Sequence, residues 1–598
     1  MIQSQEDKMN KVKITWNLTP LFNSDNDLNL VKKRKKVISQ TNKFVKNWEK
    51  RNEYLNNPKI LKQALDEYEK WQRYYSTLAQ ENYYFDLRHS VNQGDPKIKA
   101  KVNLADELSQ KLQNKIQFFE LRVAKINPKL QKKFLAYKPL SPYKHFLEKL
   151  FEAQKHLLTE SEEKIMNLKS TTSYTNWVRM TSTFLSKEER GGKNLSELMG
   201  AMNNKNKGVR DSAAKYFNEI LETQVDVAEH ELNSVLQNKK IDDELRKYKR
   251  ADKARHLGDD IETEVVDTVV KTVTKHFDIS KHYYELKAKL FEVTKLAYHE
   301  RNVEYGKIDK KYAFEESVQI INRTLGNLDP EFLSIFQAFL NEGRVDVFPK
   351  KGKRSGAFCT YGLIINPSYI LLNYNNLLDD VRTFAHELGH GINDELMRKV
   401  QNSLNFSTPT STAEVASTFF EDFVVQELSR QVDDEMKLTL MMAKLNQDIS
   451  SIFRQIAFYN FETELNRKFR KVGYLSKEDL GALFQKHMKS YMGDYVEQSP
   501  GSQNWWTYVE HFRYFFYVYS YASGLLISKS LQATVKNDSK FIFKVKKFLS
   551  AGSSDSPKNI FRKLGIDITD KKFWEKGLSE VENLLNETEK LAKKLRKI

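Results

Sequence analysis

The chain has a single cysteine, Cys359, among 598 residues. That excludes an intrachain disulfide and any zinc site built from several thiolates of one chain, and it fits a reducing compartment. Glycine (22) and proline (12) are scarce too, about half their usual combined share of ~12%. So few breakers argue against a sandwich, barrel or propeller and for long helices. Long apolar runs are also missing. No window reaches the ~18 residues of a membrane span, and the most apolar stretch, Tyr514 to Ile527, is short and studded with Tyr and Ser. The opening MIQSQEDKMNKVKITW lacks the apolar region of a secretory signal. A soluble, cytoplasmic protein is expected.

Hydrophobic residues make up 40% of the chain and charged residues 29%, a globular composition in a length that calls for more than one lobe. The net charge of +18 raises a polyanion as partner. The basic residues are spread along the whole chain, however. The densest runs, Lys32–Lys36 and Lys593–Lys597, read as solvated helix faces. No nucleic-acid module is recognisable, so neither nucleic acid nor membrane is expected as partner.

Helical spacing dominates. Leu61, Leu65, Tyr68 and Trp71 recur at intervals of three and four, as do Leu104, Leu108, Leu112 and Ile116. Pro128, Pro139 and Pro142 divide the region 27–168 into helical hairpins. The polar stretch SKEERGGKN (186–194) predicts a boundary, with an N-terminal helical lobe over 1–190 and a second domain over 191–598. Helices are predicted over 208–300, 312–325 and 330–342. Between 344 and 374 the texture changes: RVDVF and YILLNY are β-branched and aromatic, with GKRSGAF and NPS between them. A small sheet of two or three strands is predicted there. After Asn375 the chain is helical again nearly to its end, interrupted at AGSSDSPKN (551–559).

The chemistry concentrates in VRTFAHELGHGIN (381–393). His386 and His390 are four residues apart, so on a helix they project from one face and can reach one zinc ion. Glu387, between them, is free to act on a water rather than ligate. Leu378, Val381, Phe384, Ala385 and Leu388 supply an apolar face, and Asn376 with Asp379 reads as an N-terminal cap. With 12 histidines in the chain, the chance expectation for this pattern is on the order of 0.02. A catalytic zinc needs a third protein ligand. Cys359 is a weak candidate and Glu414, 24 residues beyond His390, a better one. Glu414 has a competing reading, because Ser411-x-x-Glu414 also fits a capping box. Glu421, seven residues further on, shares the helical face of Glu414 and can support a ligand histidine.

GKRSGAF (352–358), YILLNY (369–374), FAHELGHGIN (384–393), EVASTFFE (414–421) and HFRYFFYVYSYASG (511–524), in this order and after an opening WNLTPLF, together resemble oligoendopeptidase F of the thimet-oligopeptidase family of zinc peptidases. The resemblance covers nearly the whole chain. It implies a mainly α fold: a two-lobed helical ellipsoid around a deep substrate channel, with a small β-sheet beside the zinc helix. It implies one zinc per chain on His386, His390 and Glu414, a catalytic Glu387, zinc helices at about 376–430, and short peptides as substrates. It makes Glu421 a supporting residue and places a His and Tyr cluster opposite the metal. Here that cluster falls on His511 with Tyr521 and Tyr517, Tyr519 pointing elsewhere on a regular helix. One departure is Asn393, where the family usually has a further His; it bears on the hydrogen bonding behind the ligands rather than on ligation.

The function expected is hydrolysis of internal bonds in short peptides, with Glu387 as general base. YILLNY could pair with an extended peptide by strand addition, and Gly356 and Ala357 would let its backbone approach closely. Two rival readings are a catalytically weak peptide-binding protein on the same fold, against which the intact Glu387 argues, and a basic nucleic-acid-binding protein.

Overall fold

The computed structural model describes residues 13–306 and 310–598; the first twelve residues of the opening lie outside it. Helix accounts for 72% of the chain and strand for 2%, so the fold is mainly α. Several of the few prolines start helices. Pro58, Pro96, Pro128 and Pro330 each occupy a first helical turn, where no amide hydrogen bond is lost. Asn57, Asp95, Asn127 and Asp329 before them cap the next free amides. Pro139 and Pro142 fall in a short 3₁₀ segment, Lys138–Tyr143.

Apolar side chains segregate into separate cores. One, from Phe44 to Phe151, joins N-terminal helices through Trp48, Leu61, Tyr68, Phe119 and Leu147. The main one runs from Leu185 to Ala592. A 39-residue helix, Lys207–Leu245, is about 58 Å long and buries Phe217, Ile220, Leu232 and Leu236 in the main core. The polar stretch at 186–194 forms a hairpin between Leu185 and Leu198 of the main core: β1 (Glu189–Arg190) pairs antiparallel with β2 (Lys193–Asn194). Gly191 and Gly192 turn it with φ of 59° and 70°, the left-handed pair that a two-residue hairpin turn needs.

The second sheet contains β3 (Val345–Asp346), β4 (Phe358–Thr360) and β5 (Tyr369–Leu371) in the order β3-β5-β4. β5 runs parallel to β3 and antiparallel to β4. YILLNY therefore supplies the central strand, hydrogen-bonded on both sides, and has no edge to offer a peptide. That corrects the expectation of strand addition on YILLNY. The outer side of β3 receives the N-terminal segment, through Val347 N–H to Ile14 O at 3.0 Å. Trp16 Nε1 reaches over to Ile370 O at 2.8 Å, and Tyr369 donates to Asn17 O. β4 is the strand whose outer edge faces the helix of the histidine motif.

Candidate active site

The motif helix spans Leu378–Val400. Its start is capped by Asp380, which accepts from the amides of Leu377 (2.7 Å) and Asn375 (2.8 Å). The expected cap by Asn376 and Asp379 is thereby corrected. Asn376 turns the chain at φ 62°, and Asp379 pairs instead with Arg382 at 3.0 Å. The apolar stripe Leu378, Val381, Phe384, Ala385, Leu388, Ile392 and Leu396 is buried, which fixes the rotation of the helix and turns His386 and His390 to its partner helix, Ala413–Ser429.

The two helices touch backbone to backbone at Gly389. A Cβ there would lie 2.6 Å from Ser417 Cα and 2.8 Å from Ala416 O. This close approach brings Glu414 to the histidines: its Oε2 lies 3.3 Å from His386 Nε2 and 3.7 Å from His390 Nε2. The three donor atoms all fall within 4.8 Å of one another. Ser417 Oγ donates to the same carboxylate at 3.0 Å. The capping alternative is absent: Thr412 precedes the helix without a side-chain cap, and Ser411 Oγ is buried without a partner.

Glu421 is buried and accepts from Arg382 Nη2 at 2.9 Å, while its other oxygen meets His386 Nδ1 at 3.1 Å. A proton on Nδ1 satisfies that bond and leaves the Nε2 lone pair facing Glu414. Neutral imidazole Nε2 and a carboxylate oxygen are both acceptors, so a positive charge belongs between them, a proton or a metal cation. The groups titrate accordingly. Burial opposes charge on His386, but hydrogen bonds to Glu414 and Glu421 outweigh it and push it up to about 10. Burial lowers His390 to about 4. Glu414, against its burial, is held down at about 2 by the His386 hydrogen bond and the charges of both histidines. Two nitrogens and one oxygen, converging and partly open, fit a zinc ion with a free position. A second cluster of donors, Asp211, His299 and Glu300, differs in kind. Lys207 already pairs with Asp211 (2.9 Å) and Arg210 with Glu300 (2.7 Å), so its charge is neutralised.

Glu387 is buried beside both the donor cluster and β4: burial raises it to about 7, with the charges of His386 and Glu414 and the Cys359 backbone acting on it as well. Cys359 Sγ lies 3.9 Å from Asp394 Oδ2, outside the donor cluster. Gly356 precedes β4 at φ 78° with open space where a Cβ would project. Gly356 and Ala357 line a cavity of about 210 Å³ together with Asn373, Tyr374, Asp380 and Thr383. A larger cavity, about 830 Å³, lies between β4 and the helix Ala79–Val91. Asn393 is turned away from the ligands: its side chain donates to Leu549 O at 2.7 Å. That corrects its expected place behind the histidines.

His511, Tyr517 and Tyr521 cluster. His511 Nδ1 and the Tyr517 hydroxyl are hydrogen-bonded. The Tyr521 ring lies 6.0 Å from His511 and 5.9 Å from Tyr517. Burial, with Arg454 nearby, lowers His511 to about 4, so it is neutral at pH 7. Tyr521 belongs to the helix Tyr519–Asn537, which lies against Glu414: a Cβ on Gly524 would be 3.1 Å from Glu414 Cβ. Tyr521, one turn earlier, shares that face. Tyr519 is buried and donates to Asp259 at 2.9 Å. Tyr517 is not on the helix at all. It follows Phe515 (φ 54°, ψ 117°) and Phe516 (φ 56°), two left-handed non-glycine residues costing of order 1–3 kcal/mol each.

The model of peptidase family M3 matches residues 201–580, and that of oligopeptidase F matches residues 123–187. The first match alone covers more than half of the chain. The chain belongs to peptidase family M3. It is 25% identical over 612 residues to an oligoendopeptidase F homolog of Lactococcus lactis, covering 97% of this chain and 98% of that one. It is 28% identical over 487 residues to oligopeptidase PepF of Bacillus subtilis, with 78% and 72% covered. A solved structure from Chlamydophila abortus superposes with a TM-score of 0.86 at 23% identity, over 96% and 98% of the two chains. Oligoendopeptidase-F from Enterococcus faecium does so with 0.67 at 20%, over 95% and 98%. Among the described residues no helix is long and apolar enough to cross a membrane.

Several residues around this candidate site were not singled out by spacing. Arg382 stands four residues before His386, the interval at which it shares the histidine's face, and that was a readable signal. Gly389 and Gly524 are glycines inside helices, where glycine is disfavoured unless backbones must approach closely. Glu462 and Arg255 touch the tyrosine loop from distant parts of the chain, and no local pattern marks them.

Proposed function

We propose that this family M3 chain is a zinc-dependent endopeptidase that hydrolyses internal bonds of short peptides. His386, His390 and Glu414 would hold one zinc ion, and Glu387 would be the general base. The observation that carries the reading is the convergence of His386 Nε2, His390 Nε2 and Glu414 Oε2 from two helices locked together at Gly389. Bound there, zinc supplies a Lewis acid that acidifies water and polarises a carbonyl. Glu387, raised to about 7 by its burial, is matched in pKa to take a proton from water near neutrality and return it to the leaving amine. Glu421 and Arg382 keep His386 in the tautomer that offers Nε2 outward.

The outer edge of β4 is the reading's place for an extended peptide, with Gly356 and Ala357 at its approach. His511, Tyr517 and Tyr521 would stabilise the developing oxyanion; one such donor is commonly worth ~3 kcal/mol. Residues 1–190 would form the lobe that covers the cleft and 191–598 the catalytic domain. The test is hydrolysis of a quenched fluorescent peptide by purified protein, before and after chelation and after zinc is restored. Turnover that is lost on chelation and regained with zinc is the expected result. Binding of the peptide without turnover under any metal would overturn it.

A further inference from the structure

The loop Phe515–Tyr517 presents Tyr517 only through a backbone that its own residues disfavour. Phe515 lies at φ 54° and ψ 117° and Phe516 at φ 56°, and neither has the freedom of glycine. Packing alone does not explain why the turn is kept. Phe516 is buried against Tyr459, and other left-handed turns could bury it equally well. What singles this turn out is a set of polar contacts to its backbone. Glu462, fully buried on the helix Gln455–Val472, accepts from Phe516 N–H at 2.9 Å. Its second oxygen has no partner. Arg255 donates from Nε to Phe515 O at 3.1 Å and from Nη2 to Tyr514 O at 2.7 Å. Its guanidinium also lies over the Tyr517 ring at 5.7 Å. Upstream, the turn before the loop is pinned by Arg513, whose side chain pairs with buried Glu231 at 2.8 Å and whose carbonyl accepts from Tyr174 at 2.6 Å.

We propose that Glu462 and Arg255 are positioning residues for catalysis: they clamp the left-handed turn from its two sides and so hold the Tyr517 hydroxyl on His511, beside Tyr521. Neither needs to touch substrate. A carboxyl side chain whose one oxygen serves a loop amide, and a guanidinium that spans two successive loop carbonyls, fix the two peptide groups that lead into Tyr517: Tyr514–Phe515 at its carbonyl, and Phe515–Phe516 at both its carbonyl and its N–H. The proposal rests on the reading of His511, Tyr517 and Tyr521 as oxyanion donors, and its test separates the two.

Turnover of a quenched fluorescent peptide is measured for Tyr517→Phe, Glu462→Leu, Glu462→Gln, Arg255→Met and the double variant Tyr517→Phe/Glu462→Leu. Zinc content and circular dichroism are recorded on the same samples. Tyr517→Phe should lower kcat by about 10² with little change in KM. Glu462→Leu and Arg255→Met should each lower kcat at least tenfold at parental zinc content. Glu462→Gln, which keeps an oxygen for the Phe516 amide, should stay within threefold of the parent. The double variant should be no slower than Tyr517→Phe alone, because a clamp has nothing left to position. A Tyr517→Phe variant with parental kcat would remove the donor reading and the proposal with it. A slow Tyr517→Phe accompanied by a fast Glu462→Leu and a fast Arg255→Met, or by losses that multiply in the double variant, would keep the donors and overturn the clamp. Should Glu462→Leu fail to fold, Arg255→Met, at a half-buried position, carries the same decision.

Discussion

The motif helix with its partner and the tyrosine loop, the two faces of the proposed site, are built by opposite means. In the first, regular helices carry the groups. His386 and His390 are aligned by the 3.6-residue repeat, and Glu414 is delivered by a backbone contact at Gly389. In the second, Tyr517 sits beyond two strained residues, and contacts from far along the chain hold them. Donors on packed helices are positioned by the same burial that stabilises the fold, so they resist single changes away from the donors and the helix contact. Donors on a strained loop depend on a few specific hydrogen bonds. The loop in return can place a hydroxyl where no helix repeat would put it.

The largest effects should come from the donors themselves. His386→Ala, His390→Ala and Glu414→Ala should each lose most of the zinc, measured as metal per chain, and nearly all turnover. A Glu414→Ala protein with full zinc and activity would show that the helix pair does not form the metal site and would dissolve the comparison. Glu387→Gln sharpens it. The substitution keeps size and helix but cannot take a proton, so zinc should stay near parental while turnover falls at least ~10³-fold. Loss of zinc in that variant would mean that Glu387 supports the metal instead.

A smaller effect tests the backbone contact. In Gly389→Ala the new Cβ meets Ser417 Cα and Ala416 O, backbone atoms that cannot swing aside. The helices must part by several tenths of an ångström, at a cost of about 1–3 kcal/mol. A lower thermal midpoint together with weaker zinc retention against a chelator is expected. An unchanged midpoint with unchanged zinc retention would mean that the close approach at Gly389 is not what holds Glu414 in place.

These contrasts explain what could be read from the residues beforehand. The motif helix was legible because its apolar stripe and its histidines obey one period. Glu414 was legible only as a pair of alternatives, since a capping box and a ligand have the same local spelling. The choice is made in three dimensions, where Glu414 faces the imidazoles and Ser411 Oγ is left without a partner. The small sheet was readable from its β-branched texture, but strand order was not. YILLNY looked like a docking edge and is the centre, because pairing depends on β3 and β4 arriving from either side. Asn393 was misplaced for a similar reason: its partner, the Leu549 carbonyl, lies 156 residues away. The tyrosine loop was the least legible part. Left-handed turns are usually announced by Gly or Asn, and here two phenylalanines occupy the turn, so the stretch looked like the continuation of a helix.

The smallest effect on rate belongs to Glu462→Gln, yet it probes the loop by a route independent of catalysis. Glu462 is fully buried, and that burial raises its carboxyl from 4.5 to about 8, the Phe516 amide and Arg255 only partly opposing it. Between those two values the folded protein keeps a proton that the unfolded chain releases. The folded state then binds more protons, so this group makes stability fall as pH rises, by up to about 1.4 kcal/mol per unit. Below pH 4.5 both states hold the proton and above pH 8 both have lost it, so the contribution is flat outside the window. Glutamine removes the titration and keeps the acceptor for Phe516. Parent and variant should therefore have similar thermal midpoints at pH 5, and the variant should be the more stable at pH 8. Taking the difference between the two proteins cancels other buried carboxyls such as Asp394, raised to about 7 by its own burial. Turnover should stay within threefold at both pH values. Midpoints that differ equally at pH 5 and pH 8 would mean that Glu462 is ionised in the fold and that water reaches the turn. The loop would then be held by a charge rather than by a neutral hydrogen bond, and its contrast with the dry helix contact at Gly389 would have to be redrawn.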